Sequence, residues 1–289
     1  MPSTPSRSPA PLHDNRSMQT SGKLLPIRFG FLAFAAVSTL ASLAPHARAQ
    51  ESTLPDVPKP LVVGPQDAAT LRNTPRNLLK DQEAIWTSPI RLRTSNAAGP
   101  IVLVLATTVA ITTDHQAMSS ARLVDPTLNK HADTASNVLV GAFVAIPAGL
   151  YGLGRLRHND HAAEAGILSG EAMVDSLVVN EVMKLVAQRE RPTVDSAKGK
   201  FFQSAVGTDS SFPSNHTILA WSSAAVIASE YPGRLTGLAV YGMATGVSVT
   251  RVLARQHFPS DVLVGSAVGW MIGRYVFHHH QRSRDLSYY

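Results

Sequence analysis

Three short polar segments of the chain hold residues that can bind and attack an anion. They are "KLVAQRERP" at 184–192, "SFPSNH" at 211–216 and "TRVLARQHFPSD" at 250–261. Together they supply cations, histidines and a carboxylate, and each segment stands where an apolar run begins or ends. Fixed cations beside a histidine are suited to transfer of a phosphoryl group, which mainly needs positioning and charge around its oxygens.

The first segment places two cations seven residues apart, Lys184 and Arg191. On a helix this spacing is nearly two turns, so both side chains are predicted on one face. Pro192 disfavours helix at the residue before it, which puts the pair at a helix end. Two cations at this spacing, taken alone, are typical of a solvated helix face.

The second segment is the start of a helix. Ser214 is a typical N-cap residue, and the free N–H groups and positive dipole of a helix N-terminus attract anions. His216 follows in the first turn. A single histidine in this place is more often structural than catalytic.

The third segment pairs a histidine with a carboxylate. Arg251 ends one helical pattern, His257 lies in the connection, and Asp261 opens the next helix. Asp261 is predicted to reach back to a ring nitrogen of His257 and so to fix its tautomer and orientation. Each segment alone is weak evidence, but all three in this order are rare at ordinary amino-acid frequencies.

The elements that must position these segments are all helical. No convincing alternating strand occurs, so the fold class is all-α, a helical bundle. Small residues such as Gly141, Gly242 and Gly269 are frequent, and they let helices approach closely in lipid or in a tight soluble bundle. The predicted helices cover 74–88, 100–113, 119–131, 137–155, 162–189, 215–230, 234–253 and 260–277. In the first of these, Leu78, Leu79, Ile85 and Trp86 are predicted to share an apolar face that packs on the body.

Composition excludes several classes of protein. The 289 residues include no cysteine, which excludes disulfide frameworks and Cys-based zinc sites. The net charge is +6, but residues 1–49 hold much of it, and no basic block is interleaved with aromatic residues. Nucleic-acid binding therefore has little support.

The N-terminus has the three parts of a signal peptide. Lys23 and Arg28 precede the apolar run 29–44, and the site Ala47-Arg48-Ala49 predicts cleavage before Gln50, with an uncleaved anchor helix as the alternative. The predicted organisation is a signal peptide at 1–49, an extended arm with a short helix at 50–99, a catalytic helical domain at 100–277 and a tail at 278–289. In that tail, "HHH" at 278–280 is interpreted as solvated.

The patterns Lys-x6-Arg-Pro, Pro-Ser-x-His and Arg-x5-His-x3-Asp, in this order, resemble the signature of the type 2 phosphatidic acid phosphatase superfamily. It includes membrane lipid phosphatases, soluble bacterial class A acid phosphatases and vanadium haloperoxidases, all with an all-α bundle. The resemblance covers residues 184–261 by motif. Asn215 stands where the family usually has Gly, and Thr250 where it usually has Ser. Asn tolerates positive φ better than most residues, and Thr keeps the hydroxyl group.

The resemblance implies a role for each matched residue. His257 attacks phosphorus and becomes phosphohistidine, Asp261 holds its other nitrogen, and His216 protonates the leaving oxygen. The remaining matched residues, which the resemblance implies bind the substrate phosphate, are Lys184, Arg191, Ser214, Asn215 and Arg251.

The predicted function is a metal-independent phosphatase with no cofactor, acting on a phosphate monoester or diphosphate of an envelope lipid. Three alternatives stay open: a soluble periplasmic acid phosphatase, a vanadate-dependent haloperoxidase and an inactive envelope scaffold. The expected partner is a phosphorylated small molecule or lipid, and the oligomeric state is left open. Export is expected, with the site facing the periplasm. The apolar runs leave membrane-integral and soluble forms open, because a span needs about 20 apolar residues and the longest clean run, 137–154, has eighteen. The run 100–113 is interpreted as too short to span.

Overall fold

The computed structural model describes residues 69–88, 98–204 and 209–287, without the side chains of 121–122 and 281–287. The predicted signal peptide and most of the arm lie outside these residues. Within them the α-helices are joined by turns and two short 3₁₀ helices, and no strand occurs, so the all-α prediction is confirmed. The helices are α1 (Thr74–Thr87), α2 (Ala98–Met118), α3 (Pro126–Leu156), α4 (Asp160–Ala187), α5 (Asn215–Glu230), α6 (Arg234–Leu253) and α7 (Pro259–Ser287).

Helices α5 and α6 begin and end where the sequence predicts, but α3 replaces two predicted helices with one. It starts late because Asp125 caps it: the carboxylate accepts the N–H of Thr127 at 2.8 Å, and Pro126 occupies the first helical position. The preceding residues 121–124 form a 3₁₀ helix instead. Helix α2 extends beyond the predicted run to 21 residues. The interpretation of this run as too short to span is therefore wrong, because the helix is long and apolar enough to cross a membrane.

Helix α5 is the centre of the bundle and contacts α3, α4, α6 and α7. Its side chains from Ala220 to Ile227 are all buried. Helix α7 lies directly against it at two glycines, which have no Cβ atom. A Cβ atom at Gly269 would overlap the carbonyl oxygen of Ile218, and one at Gly273 would overlap that of Ser222. The glycine spacing therefore brings the start of α7 beside the start of α5, where the polar segments lie.

Helix α1 packs on the body as predicted, but only part of the predicted apolar face is turned toward it: Ile85 packs against the core, and buried polar residues supply further contacts. Leu79 is 74% exposed and Trp86 is 44% exposed, whereas Asn77 and Asp81 are buried. Asn77 Nδ2 donates to Glu171 Oε1 on α4 at 3.3 Å. The helix is therefore held by hydrogen bonds together with the apolar contact of Ile85, and not by the whole predicted apolar stripe.

The predicted solvated histidine tail is also wrong at His280. Helix α7 continues through it, and His280 is 3% exposed. Its Nε2 lies 3.5 Å from Asp81 Oδ2 and 3.5 Å from Glu171 Oε2. This buried polar cluster joins α1, α4 and the far end of α7.

Candidate functional site

The three polar segments meet where α4 and α6 end and where α5 and α7 begin. The N–H of Ser214 donates to the carbonyl of Asp261 at 3.3 Å, which links the second segment to the third. Arg191 Nη1 donates to the carbonyl of Gln256 at 3.1 Å, which links the first segment to the third. Residues that are far apart in sequence therefore surround the N-terminus of one helix, α5.

His257 lies buried in the turn between α6 and α7, with 2% of its surface exposed. Its Nδ1 is 2.7 Å from the carbonyl oxygen of Ser211. Because a carbonyl only accepts, Nδ1 carries the proton and Nε2 has a free lone pair. Burial lowers the pKa of His257 to about 4, and the charges of Arg251 and Arg191 add to this effect. A neutral imidazole with a defined tautomer is suited to act as a nucleophile.

Asp261 lies close to His257 but has other partners. Its Oδ2 is 3.7 Å from His257 Nδ1 and accepts the N–H of Phe258 at 2.8 Å. Its Oδ1 accepts from Arg189 Nη1 at 2.6 Å. The nearest acceptor for the His257 proton is thus the Ser211 carbonyl, which differs from the predicted direct bond to Asp261.

The three cations Lys184, Arg191 and Arg251 lie close enough to influence one another, although Lys184 and Arg191 do not share one face of a helix. Helix α4 ends at Ala187 and Gln188 takes a left-handed conformation, so Arg191 lies in the following loop. The single-face prediction is wrong, because the chain turns back after the helix instead of continuing it. Lys184 is buried at the last helical turn, and burial first, then the charges of Arg191 and Arg251, lowers its pKa.

Arg251 is held by a carboxylate of α3. Its Nη1 donates to Asp133 Oδ1 at 2.8 Å and to Ser136 Oγ at 3.4 Å. Asp133 also accepts from Asn137 Nδ2 at 3.3 Å, one helical turn later. Asn137 Oδ1 in turn lies 2.9 Å from His216 Nε2, which must donate to it.

A hydrogen-bonded chain on α3 therefore connects Arg251 to His216. Burial lowers the pKa of His216 to about 4, followed by the charges of Arg251 and His257, while Asp133 opposes them. His216 is neutral at pH 7 in the absence of an anion. It can carry a proton only when a negative group binds beside it.

The N-terminus of α5 has no side-chain cap. Ser214 occupies the N-cap position, but its hydroxyl makes no capping bond and accepts from Thr217 Oγ1 at 3.1 Å. Asn215 is the first helical residue, so the expected positive φ is not needed there. Its side chain accepts from Asn180 and donates to Glu181 Oε1 at 3.3 Å. The N–H groups of this first turn remain suited to an anion.

Several residues of the site escape sequence analysis because each is a single polar residue, either on an apolar helix or in a loop. They are Asp114 on α2, Asp133 and Asn137 on α3, and Arg189 and Ser211 in loops. The only sequence signal for the helical ones is a polar residue within an apolar run. Arg189 lies between Lys184 and Arg191, and the motif spacing points to those two cations and not to Arg189. Among the described residues, no group of three or more histidine or carboxylate side chains is arranged to hold a metal ion.

Comparison with known proteins gives one family and two relatives. Residues 165–285 match the family model described as the PAP2 superfamily. The chain is 32% identical over 134 residues to the undecaprenyl-diphosphatase BcrC of Bacillus subtilis strain 168, and the aligned residues make up 46% of this chain and 64% of that protein. It is 37% identical over 65 residues to the lipid A 1-phosphatase of Porphyromonas gingivalis, which covers 22% of this chain and 15% of that protein. The chain thus spans less than two thirds of the length of these relatives, and no solved structure matches it.

Proposed function

We propose that the protein, whose residues 165–285 match the PAP2 superfamily model, is a metal-independent phosphatase of that superfamily and acts on a lipid phosphate or diphosphate. The observation that supports it is the meeting of three cations and two neutral histidines around the uncapped N-terminus of α5. These groups match the needs of phosphoryl transfer, which are oriented positive charge, a nucleophile and an acid.

The cations and the helix end bind the phosphoryl group. Lys184, Arg191 and Arg251 neutralise its oxygens, and the free N–H groups after Ser214 donate hydrogen bonds. Since the three cations are side chains, the charge that Mg²⁺ supplies in other phosphoryl-transfer enzymes is supplied here by the protein. Activity in the presence of EDTA follows from this proposal.

The reaction has two displacements at phosphorus. In the first, the Nε2 lone pair of His257 forms an N–P bond while the P–O bond to the alcohol breaks, and His216 gives the leaving oxygen its proton. In the second, His216 takes a proton from water, the water oxygen attacks phosphorus, and the N–P bond breaks to release inorganic phosphate. The proton that His216 gives in the first displacement comes from the bound phosphate monoanion, and the proton that it takes from water leaves with the released phosphate, so both histidines return to their neutral starting states.

A lipid substrate is supported by the names of the relatives and by two apolar helices. Both relatives are named for phosphatase activity on a lipid. Among the described residues, α2 and α3 are long and apolar enough to cross a membrane. Ile101, Val104 and Leu105 on α2 are each more than half exposed. We propose that these faces contact lipid, and that the site opens on the periplasmic side after export.

The test is turnover of a panel of phosphate esters in detergent with EDTA. The panel holds a long-chain lipid phosphate, a polyprenyl diphosphate, glycerol phosphate and a nucleoside monophosphate. We expect the highest kcat/KM on the lipid substrates. Equal or faster turnover of the short soluble esters would contradict the lipid proposal, and bromide oxidation with added vanadate in place of ester hydrolysis would contradict the phosphatase proposal.

A matched pair of variants tests the site itself. His257→Ala should lose turnover, whereas His158→Ala, at an exposed residue after α3, should keep it. Loss of activity in both variants would show a general effect on the protein rather than a role for His257.

A further inference from the structure

Asn137 is a polar residue on α3 to which the proposed chemistry gives no role. It lies outside the three polar segments and before residues 165–285, which match the family model. Its side chain nevertheless contacts the proposed acid, because its Oδ1 lies 2.9 Å from His216 Nε2. The charges of Arg251 and Lys184 both reach this ring, so the contact is made beside the proposed phosphate site.

The orientation of the Asn137 amide is fixed from its other side. Asp133, one helical turn earlier, pairs through Oδ1 with Arg251 Nη1 at 2.8 Å, and its Oδ2 accepts from Asn137 Nδ2 at 3.3 Å. A carboxylate in an ion pair only accepts, so the amide nitrogen must face Asp133 and the amide oxygen must face His216. An amide turned the other way would place two acceptors against each other at Asp133.

This orientation decides which nitrogen of His216 carries the proton of the neutral ring. An amide oxygen only accepts, so Nε2 must donate to it, and the lone pair of the neutral ring is on Nδ1. Among the described residues, the bond to Asn137 is the one side-chain hydrogen bond that His216 makes. Nδ1 is therefore the nitrogen that is left for the substrate.

We propose that Asn137 is a positioning residue that fixes the Nε2–H tautomer of His216, so that the proton reaches the leaving oxygen from Nδ1. This inference deepens the proposed function and rests on it for the role of His216 as general acid. Without the amide oxygen, some of the neutral rings would carry their proton on Nδ1 at rest. Those rings have no lone pair on that atom to take up the proton of the substrate.

Both displacements then use one nitrogen of the His216 ring. In the first, Nδ1 takes the proton of the bound phosphate monoanion and gives it to the leaving oxygen as the P–O bond breaks. In the second, Nδ1 takes a proton from the attacking water, and that proton leaves with inorganic phosphate. Nε2 keeps its own proton, donated to Asn137, through both steps.

The first test is NMR of the substrate-free, full-length protein labelled with nitrogen-15 at its histidines. The signal that is missing in His216→Gln identifies the ring, and its two nitrogen shifts show which nitrogen carries the proton at pH 7. We expect the proton on Nε2 in the wild type. In Asn137→Leu, which removes the acceptor, this proton should exchange with water about tenfold faster.

Two further variants separate the lost acceptor from a general effect on α3. Asn137→Asp keeps an acceptor for Nε2 and should keep the slow exchange. Thr134→Leu, the matched control, places the same leucine at an exposed residue about one turn earlier on the helix. Its His216 proton should exchange at the wild-type rate.

The second test asks whether Asn137 acts through His216. On an alkyl phosphate, Asn137→Leu should lower kcat by about tenfold or more, and on an activated aryl phosphate much less, because the aryl leaving group needs little protonation. Combined with His216→Gln, Asn137→Leu should cause no further loss, since the ring that it orients is gone.

A proton on Nδ1 in the wild type, which needs no variant at Asn137 to observe, would overturn the inference. An unchanged exchange rate in Asn137→Leu would do the same, as would a loss of turnover that multiplies with that of His216→Gln. A higher KM on both esters with kcat unchanged would assign Asn137 to the phosphate contact of Arg251 instead. NMR needs no turnover, so the tautomer is decided even if no ester is hydrolysed, and turnover by the wild type separately decides the proposed function.

Discussion

The proton on His216 gives the sharpest prediction about the proposed reaction. With a pKa of about 4, only about one substrate-free molecule in a thousand carries this proton at pH 7. The low value has a structural cause, since the ring is largely buried and lies near Arg251, His257 and Lys184. Its Nε2 donates to Asn137, which leaves Nδ1 to accept a proton.

The proton must therefore arrive with the substrate. A phosphate monoester has a second pKa of about 6, so its monoanion can bring the proton that His216 then passes to the leaving oxygen. We expect kcat/KM on an alkyl phosphate to fall about tenfold per pH unit above that value. His216→Gln should lower turnover of an alkyl ester by about 10²–10⁴, as for loss of a general acid.

The assay compares an alkyl phosphate with an activated aryl phosphate from pH 5 to 9. The aryl leaving group needs little protonation, so His216→Gln should slow its release much less than that of the alkyl group. The control variant is His158→Ala, with an exposed histidine. A flat alkyl profile through pH 8, or equal losses on both esters in His216→Gln, would refute the reasoning.

Three further outcomes are expected. Acid-quenched labelling with a phosphate donor should give acid-labile, base-stable label in the wild type and none in His257→Ala; label that persists in the variant would contradict its role. Gly269→Ala should lower the free energy of unfolding by about 1–3 kcal/mol, because the new methyl group meets the Ile218 carbonyl. Gly242→Ala, in open space on α6, should raise it by about 0.5–1 kcal/mol. Equal denaturation midpoints for the two variants would refute this prediction. Burial raises the pKa of Asp175 to about 7, above its ordinary 3.8. Protonation of Asp175 therefore favours the folded state, and the free energy of unfolding falls as pH rises from about 4 to 7. Asp175→Asn should raise the denaturation midpoint at pH 8 but not at pH 4, and no difference at pH 8 would contradict this prediction.

Local sequence patterns predict the bounds of α5 and α6 because their start and stop signals agree with their apolar runs. Arg234 follows a Pro-Gly pair, and Ser214 precedes an unbroken apolar helix. The same patterns mislead before α3, where the cap at Asp125 starts the helix later than the apolar run indicates and no break separates it from the next run. Helix content and the ends of α5 and α6 were therefore predictable, whereas the bounds of α2 and α3 and the number of helices were not.

The contacts that orient the candidate site were less predictable than the positions of its three polar segments. Periodicity assigns a polar residue on an apolar helix to the solvent face, as it does for Asn77 and Asp81 on α1, both of which are buried. Nothing local indicates that Asn137 meets a histidine 79 residues later. Long-range pairing of single polar groups leaves no pattern in the sequence of one chain.

These long-range contacts bear on which part of the chain makes the site. The family match covers residues 165–285, which include every residue of the three motifs. Yet Arg251 is held by Asp133, His216 by Asn137 and Arg189 by Asp114, and all three partners lie on α2 or α3, before the match begins. Among the described residues, the two helices that are apolar enough to cross a membrane thus also supply polar groups that contact the proposed acid His216, one cation and the turn that holds the proposed nucleophile His257. A lipid surface that fixes α2 and α3 would therefore also fix the geometry of the proposed reaction.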